Sequence, residues 1–211
     1  HVMKIVSQYN VQVLPTSPTF LNLILISEAW KEYDLNSLEL VTYGTEPMPE
    51  STLKRLKIIF PDVRLLQTYG LIELGVMRSK SEKDDSLWVK VGGDGYTTRI
   101  IEGILQIKAD SAMLGYLNAP SPFTKDGYFI TGDIGYFDDD GYLYILGRVD
   151  DLINISGEKV YPQEIERAVM VLSGIDDVVA VPMKHKVFGE VVKLFVKKSV
   201  KSDYHITFEE L

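Results

Sequence analysis

Residues 147–166, GRVDDLINISGEKVYPQEIE, run from a charged turn through an apolar strand and a glycine turn to the start of a helix. The apolar strand covers residues 153–155, and the pair Ser156-Gly157 breaks it. Pro162 then fits the first turn of a helix, where its fixed backbone angle and missing N–H are tolerated. This order of elements predicts a joint between two structural units.

Upstream of the joint, short apolar strands alternate with segments that have apolar residues at helical spacing. The predicted strands include residues 11–14, 38–43 and 63–68, and Ser51 is expected to cap a helix that runs to about Phe60. Strands that alternate with helices are typical of a parallel sheet covered on both faces. Residues 1–86 are therefore predicted to be α/β.

From residue 87 the pattern changes to short strands separated by glycine and aspartate turns. Residues 138–141, Asp-Asp-Asp-Gly, read as a hairpin turn, and residues 79–86 read as a charged loop. Residues 87–149 are predicted to form a small antiparallel β subdomain. The remainder, 150–211, is predicted to be an incomplete α+β domain whose last residues begin another helix.

Composition excludes several classes of function. The 211-residue chain is 45% hydrophobic, as expected for a globular protein, and its net charge of -8 disfavours a nucleic-acid partner. No apolar run approaches the roughly 20 residues that a membrane span needs. The sequence has no cysteine, which fits a reducing compartment such as the cytoplasm, and its three histidines have no metal-ligand spacing.

Three polar turns follow apolar strands, and the turn at residues 68–73 lies where open α/β sheets bind ligands. They are residues 44–47 (GTEP), 68–73 (TYGLIE) and 131–133 (TGD). The last lies between two predicted strands, residues 128–131 and 135–137. Each also has a structural reading: an ordinary β-turn, a loop with a packed tyrosine and a solvated glutamate, and a simple turn. Asp133 is expected at a strand end, where a carboxylate accepts hydrogen bonds from both hydroxyls of a ribose.

Taken with residues 147–166, these turns resemble motifs of the adenylate-forming superfamily, which comprises acyl-CoA synthetases, luciferases and peptide-synthetase adenylation domains. The resemblance implies that residues 1–149 are the second half of a large N-terminal adenylation domain. Residues 150–211 would then be part of a small mobile C-terminal domain. The cofactors and substrates implied are ATP, Mg²⁺, a carboxylic acid and CoA.

The resemblance also assigns residues to nucleotide binding. Tyr69 would stack on adenine, and Glu73 would be a catalytic residue that ligates Mg²⁺ on the triphosphate. Asp133 would hold the ribose, and Arg148 would bridge ribose and phosphate oxygens, although a surface Arg paired to a neighbouring aspartate is the alternative. The remaining nucleotide-binding candidates lie in the first two turns: Thr45, Glu46, Pro47, Thr68, Gly70 and Ile72.

Beyond the nucleotide site, the resemblance places a hinge and a thiol site. Asp150 would be the hinge about which the small domain turns. Ser156 and Gly157 would let the pantetheine arm of CoA pass close to the backbone, and Lys159 would supply a basic group to catalysis.

One position departs from the superfamily pattern. Ile72 stands where a threonine hydroxyl usually meets the α-phosphate, so Thr68 or a backbone N–H would have to supply that contact, or phosphate handling is weakened.

The superfamily's phosphate loop is expected upstream of His1 and its C-terminal catalytic lysine beyond Leu211. The resemblance therefore implies a fragment of an AMP-forming acid–thiol ligase that is inactive by itself. Two alternatives stay open: an amino-acid or aryl-acid adenylation domain that serves a carrier protein through its phosphopantetheine, and a non-catalytic nucleotide-binding module.

Overall fold

The first layer of the protein is a three-stranded parallel sheet. The computed structural model describes residues 1–199, apart from the side chain of Val76. The sheet has the order β1-β2-β3, and the register pairs Leu14 with Val41 and Val41 with Leu65. The elements are α1 (Val2–Gln8), β1 (Val13–Thr16), α2 (Pro18–Ser27), β2 (Leu40–Tyr43), α3 (Glu50–Ile59) and β3 (Arg64–Gln67). The predicted α/β fold is confirmed.

The start of α2 follows from its sequence, whereas the start of α3 does not follow the prediction. Pro18 is the first residue of α2, and the Ser17 hydroxyl accepts a hydrogen bond from the Phe20 N–H at 3.3 Å. The predicted cap of α3 was wrong. Pro49 occupies the cap position, and the Ser51 hydroxyl lies within the first turn, buried and without a partner among the described residues.

Helices and strands of this layer share one apolar core. Tyr43, Leu53, Leu56 and Leu65 are among its fully buried side chains. Burial raises the pKa of the Tyr43 hydroxyl well above its usual range. The core fixes β2 and β3, so the turns at their ends have defined positions.

A six-stranded sheet follows, preceded by the small hairpin β4 (Gly70–Leu71) and β5 (Gly75–Val76). Its order is β6-β7-β11-β10-β9-β8. Antiparallel registers join β6 to β7, β7 to β11, and β9 to both β8 and β10. The strands are β6 (Arg78–Ser81), β7 (Val89–Gly92), β8 (Tyr96–Ile101), β9 (Ile104–Ala109), β10 (Phe129–Phe137) and β11 (Leu143–Arg148).

Two details of this sheet differ from the predictions. Residues 79–81 belong to strand β6 rather than to a charged loop, and β6 precedes residue 87, the expected start of the β subdomain. Residues 128–131 and 135–137 were expected to be separate strands, but they form the single strand β10. Its register with β9 shifts between Ile130 and Ile134, and Gly132 has a φ of 77° there, so the strand contains a bulge.

The predicted turn at residues 138–141 is confirmed. The Asp138 carboxylate accepts hydrogen bonds from the N–H groups of Asp140 and Tyr142, and the Asp138 N–H donates to the Tyr142 carbonyl.

The chain divides into two compact units, His1–Ile145 and a second that begins at Leu146. The second unit has a four-stranded sheet with the order β13-β12-β15-β14. Its elements are β12 (Ile153–Ile155), β13 (Glu158–Val160), α4 (Pro162–Met170), β14 (Ile175–His185) and β15 (Gly189–Lys198). The domain boundary at residues 149 and 150 stays a prediction, and the helix expected near residues 208–211 lies outside the described residues.

Within residues 1–199, the helices are too short or too polar to cross a lipid bilayer.

Candidate functional site

The carboxyl ends of β2 and β3 lie side by side, and the chain after each one enters a polar turn. Thr68 links the two strand ends, because its N–H and its hydroxyl both donate to the carbonyl of Tyr43, the last residue of β2, at 2.7 and 3.0 Å. Gly44 makes this approach possible. A Cβ at that position would lie 2.4 Å from the Thr68 hydroxyl oxygen and 2.7 Å from the Thr68 carbonyl oxygen.

The turn at residues 45–47 is anchored to helix α2. Glu46 accepts hydrogen bonds at its Oε2 from the Thr19 N–H at 3.0 Å and from the Thr19 hydroxyl. Thr19 lies in the first turn of α2, where N–H groups lack partners within the helix, so Glu46 acts as a distant cap. Thr45 has a φ of 70°, and the side chains of Thr45, Glu46 and Pro47 are exposed.

Tyr69 is held at both its backbone and its hydroxyl. Its N–H donates to the Ser79 hydroxyl at 3.0 Å, and its own hydroxyl donates to Oδ2 of Asp133. The neighbouring Ser81 hydroxyl accepts from the Gln67 N–H at 3.0 Å, so strand β6 supports the end of β3. The structure therefore brings together the residues expected to hold adenine and ribose.

Asp133 lies at the bulge of β10 rather than at a strand end as predicted. The bulge interrupts the ladder, and the Asp133 N–H donates to the Thr131 hydroxyl at 2.9 Å. The Thr131 hydroxyl in turn donates to the Leu105 carbonyl at 2.9 Å. Asp133 is 7% exposed, so its carboxylate is directed by its surroundings instead of moving freely in water.

Glu73 lies in the turn of the β4–β5 hairpin and accepts hydrogen bonds from the segment that follows β9. The Tyr116 hydroxyl donates to Glu73 Oε1 at 2.7 Å, and the Met113 N–H donates to the Glu73 carbonyl at 2.8 Å. The Glu73 carboxylate raises the pKa of the Tyr116 hydroxyl through that hydrogen bond. No spacing in the sequence connects Tyr116 with Glu73, so sequence reasoning does not find this contact.

Two other contacts of the site lack a sequence signal. Thr19 looks like an ordinary residue of a helix start, and Ser79 lies in a stretch read as a charged loop. Both touch site residues only through the fold.

Ile72 is 100% exposed, and Gly70 on the same hairpin is exposed too. An isoleucine side chain offers no hydrogen bond to a phosphate. Thr68, the expected substitute, already donates its hydroxyl hydrogen to the Tyr43 carbonyl. A phosphate would therefore have to meet backbone N–H groups here, or the hydroxyl of Thr68 would have to turn.

The candidate residues of the second unit form a turn and a hairpin. Arg148 ends β11, and Asp150 lies in the single 3₁₀ turn Val149–Asp151. Ser156 and Gly157 form the turn between β12 and β13, with φ values of 53° and 97°, and the Gly157 N–H donates to the Asn154 side-chain oxygen at 2.8 Å. No atom lies within 4 Å of a Cβ built on Gly157, and Lys159 on β13 is exposed.

The residues present suit a metal ion that arrives with a nucleotide. Within the described part of the chain, no cluster of three or more acidic or histidine side chains could hold a metal ion alone. Glu73 offers one carboxylate at the surface of a hairpin. Mg²⁺ is commonly held by one or two carboxylates together with substrate phosphates, and Glu73 fits that mode.

Comparison with known proteins identifies the family of the chain. Residues 1–99 match the family of AMP-binding enzymes. A 4-coumarate–CoA ligase of Glycine max is 31% identical over 218 residues, which cover 92% of this chain and 74% of that protein. The chain belongs to the AMP-binding enzyme family. A 4-coumarate–CoA ligase of Vanilla planifolia is also 31% identical, over 99% of this chain but 42% of its own length.

Solved structures with a similar fold include two ligand complexes. ATP-bound MatB from Rhodopseudomonas palustris is 26% identical with a TM-score of 0.79, covering 97% of this chain and 44% of that one. The anthranilate CoA ligase AuaEII, in complex with anthranoyl-AMP, is 20% identical with a TM-score of 0.78, covering 97% and 42%. The chain thus spans less than half the length of these structures. The predicted superfamily is confirmed, while the roles of individual residues stay predictions.

Proposed function

We propose that the chain is the nucleotide-binding part of an AMP-forming acid–thiol ligase. In this reaction a carboxylate attacks the α-phosphorus of ATP, acyl-AMP forms and pyrophosphate leaves; a thiol then displaces AMP to give a thioester. The observation that carries the proposal is the contact of Tyr69 with Asp133 in a chain of the AMP-binding enzyme family.

Binding of the nucleoside would use the two polar turns and the bulge. Asp133, held by Thr131, accepts hydrogen bonds from ribose hydroxyls, and the Tyr69 ring lies against the base. Thr45, Glu46 and Pro47 line the base beside Gly44. Because Glu46 also caps α2 through Thr19, we propose that its main contribution is to hold this turn in place.

The phosphates would lie along residues 68–73. Glu73 would hold Mg²⁺, which neutralises charge on the triphosphate when bound. Backbone N–H groups near Gly70 and Ile72 would donate to phosphate oxygens, since the side chain of Ile72 does not.

The second unit would supply the groups that change between the two half-reactions. Arg148 contributes a permanent positive charge toward ribose and phosphate oxygens. Asp150 is the proposed hinge, since a single 3₁₀ turn leaves few backbone bonds to break. The hairpin turn at Ser156 and Gly157 has open space at its glycine, as a thiol arm requires, and Lys159 lies on the adjoining strand.

CoA is the proposed thiol acceptor, because the relatives are named as CoA ligases. The acid itself is not carried over. Named acids among the relatives range from 4-coumarate to a methyl-dioxo-octahydroindenyl propanoate.

A second candidate, a non-catalytic nucleotide-binding module, is favoured by the exposed Ile72. Such a module would bind ATP without turning it over even in its full-length protein.

The test combines ATP binding with ATP–pyrophosphate exchange. We expect the 211-residue chain to bind ATP by calorimetry and to exchange pyrophosphate near background, since groups that stabilise the transition state lie in other parts of such enzymes. Failure of the chain to bind ATP would contradict the nucleotide site. Exchange by the full-length protein with a carboxylic acid would exclude the non-catalytic candidate, and robust exchange by this chain would disprove its inactivity.

A further inference from the structure

Glu73 is held by a segment that the proposed function does not yet use. Residues 111–116 follow strand β9 and contact the β4–β5 hairpin at three points in a row. The Ser111 hydroxyl donates to the Leu74 carbonyl at 2.6 Å, the Met113 N–H donates to the Glu73 carbonyl at 2.8 Å, and the Tyr116 hydroxyl donates to Glu73 Oε1 at 2.7 Å.

These contacts fix both the backbone and the side chain of one residue. Leu74 is fully buried next to Glu73, and Gly75 has a φ of 81° with Ser111 3.4 Å from its would-be Cβ. The backbone of the turn is therefore fixed by packing and by the bonds from Ser111 and Met113. Among the described residues, Tyr116 is the one that restrains the carboxylate itself.

A hairpin turn needs no such restraint for its own stability. A glutamate at this position could rotate in water, and ordering its side chain costs conformational entropy. Tyr116 is 44% exposed, so its hydroxyl gives up hydrogen bonds to water to bind Glu73. The contact is useful if one carboxylate oxygen is held in place so that the other oxygen can bind a ligand.

We propose that Tyr116 is a positioning residue for Glu73: it holds Oε1 so that Oε2 is directed toward a nucleotide-bound Mg²⁺. Within residues 1–199, Oε2 has no hydrogen-bond donor, so its lone pairs are available to a metal ion. Pre-ordering of Glu73 lowers the entropy lost when Mg²⁺·ATP binds. The inference rests on the proposed function, because it takes Glu73 as the ligand of the metal.

The test measures how much Mg²⁺ strengthens ATP binding. Calorimetry gives the Kd of ATP in excess Mg²⁺ and in excess EDTA, and their ratio is the magnesium enhancement. The variants are Tyr116→Phe, which keeps the ring but removes the hydroxyl, and Glu73→Gln. The matched control is Tyr136→Phe, because Tyr136 is 47% exposed in the same unit and its ring packs edge-on against Trp88.

For Tyr116→Phe we expect the enhancement to fall about tenfold, the effect of one hydrogen bond to a charged group, with the Kd in EDTA changed by less than about twofold. Glu73→Gln should abolish the enhancement, and Tyr136→Phe should leave it unchanged. Thermal unfolding of Tyr116→Phe should match the wild type, which separates positioning from a general structural effect.

Each contrary outcome has its own meaning. A wild-type enhancement in Tyr116→Phe, together with a loss in Glu73→Gln, overturns the role of Tyr116 and leaves the metal ligand standing. An enhancement that survives Glu73→Gln overturns the metal role of Glu73 and, with it, the role of Tyr116. No ATP binding by the wild type overturns the proposed function itself.

Discussion

The Tyr69 hydroxyl donates a hydrogen bond to Oδ2 of Asp133, although the two residues are separated by the whole β4–β9 region of the chain. The contact joins the end of the parallel sheet to the bulge of β10. It orders a nearly buried carboxylate before any nucleotide binds. Such ordering favours recognition of a pair of adjacent hydroxyls, which have a fixed geometry.

If Asp133 binds the ribose, the sugar hydroxyls should determine affinity. We expect the wild-type chain to bind ATP at least about tenfold more tightly than 2′,3′-dideoxy-ATP, since hydrogen bonds to a charged group are lost. Asp133→Asn should weaken ATP binding and remove most of this difference. Competition calorimetry measures the two affinities. Equal affinity of the wild type for both nucleotides would rule out the ribose role.

Gly44→Ala should destabilise the first unit. Its Cβ would clash with the Thr68 backbone carbonyl at 2.7 Å, and backbone cannot rotate away as a side chain can. We expect a loss of about 1–3 kcal/mol in the free energy of unfolding, measured by urea denaturation.

Gly70→Ala is the matched control for that change. The nearest atom to its would-be Cβ is the Gly75 carbonyl oxygen at 3.9 Å, an ordinary contact. Its stability should stay within about 0.5 kcal/mol of the wild type. If both variants unfold alike, the close approach of Gly44 to Thr68 has no energetic importance.

Glu46→Ala removes the distant cap of helix α2. Two first-turn donors of Thr19 lose their acceptor, so we expect the free energy of unfolding to fall by about 1 kcal/mol. Glu50→Ala is the control, because the contact of Glu50 among residues 1–199 is an exposed ion pair with Lys54 on α3, worth at most about 0.5 kcal/mol. Loss of ATP affinity in Glu46→Ala without loss of stability would instead identify Glu46 as a base contact.

Local patterns in the sequence were enough to predict the alternation of strands and helices, the turn at Asp138 and the β12–β13 turn at Gly157. Each depends on residues close together in the chain, such as a glycine at positive φ. Partners such as Tyr116 of Glu73, Thr19 of Glu46 and Ser79 of Tyr69 lie far along the chain. Their contacts are set by sheet order, which periodicity does not encode.

The bulge in β10 illustrates the same limit. The residues Thr-Gly-Asp fit a turn between two strands as well as they fit a bulge within one strand, because a turn and a bulge both favour a glycine at that point. The choice between them depends on the pairing of β10 with β9, which continues on both sides of Gly132.

The contact between Arg99 and Asp126 should make the stability of the fold depend on pH. The two side chains form a bidentate pair with N–O distances of 2.6 and 3.1 Å, and the Thr124 hydroxyl also donates to Asp126. The hydrogen bonds from Arg99, and then that from Thr124, hold the pKa of Asp126 well below its usual range. The folded protein therefore binds this proton less readily than the unfolded chain.

A carboxyl group whose pKa is lowered by folding stabilises the fold at pH values above its pKa in the unfolded chain, about 3.9. That contribution is lost as the pH falls toward its pKa in the folded protein. In this acidic window, the free energy of unfolding should rise with pH less steeply in Asp126→Asn than in the wild type. The control Asp139→Asn removes an exposed carboxylate of the hairpin turn after β10, outside the Arg99–Asp126 pair. Urea unfolding between about pH 2.5 and 5 measures the slopes, and identical slopes for Asp126→Asn and the wild type would show that the pair does not couple protonation to folding.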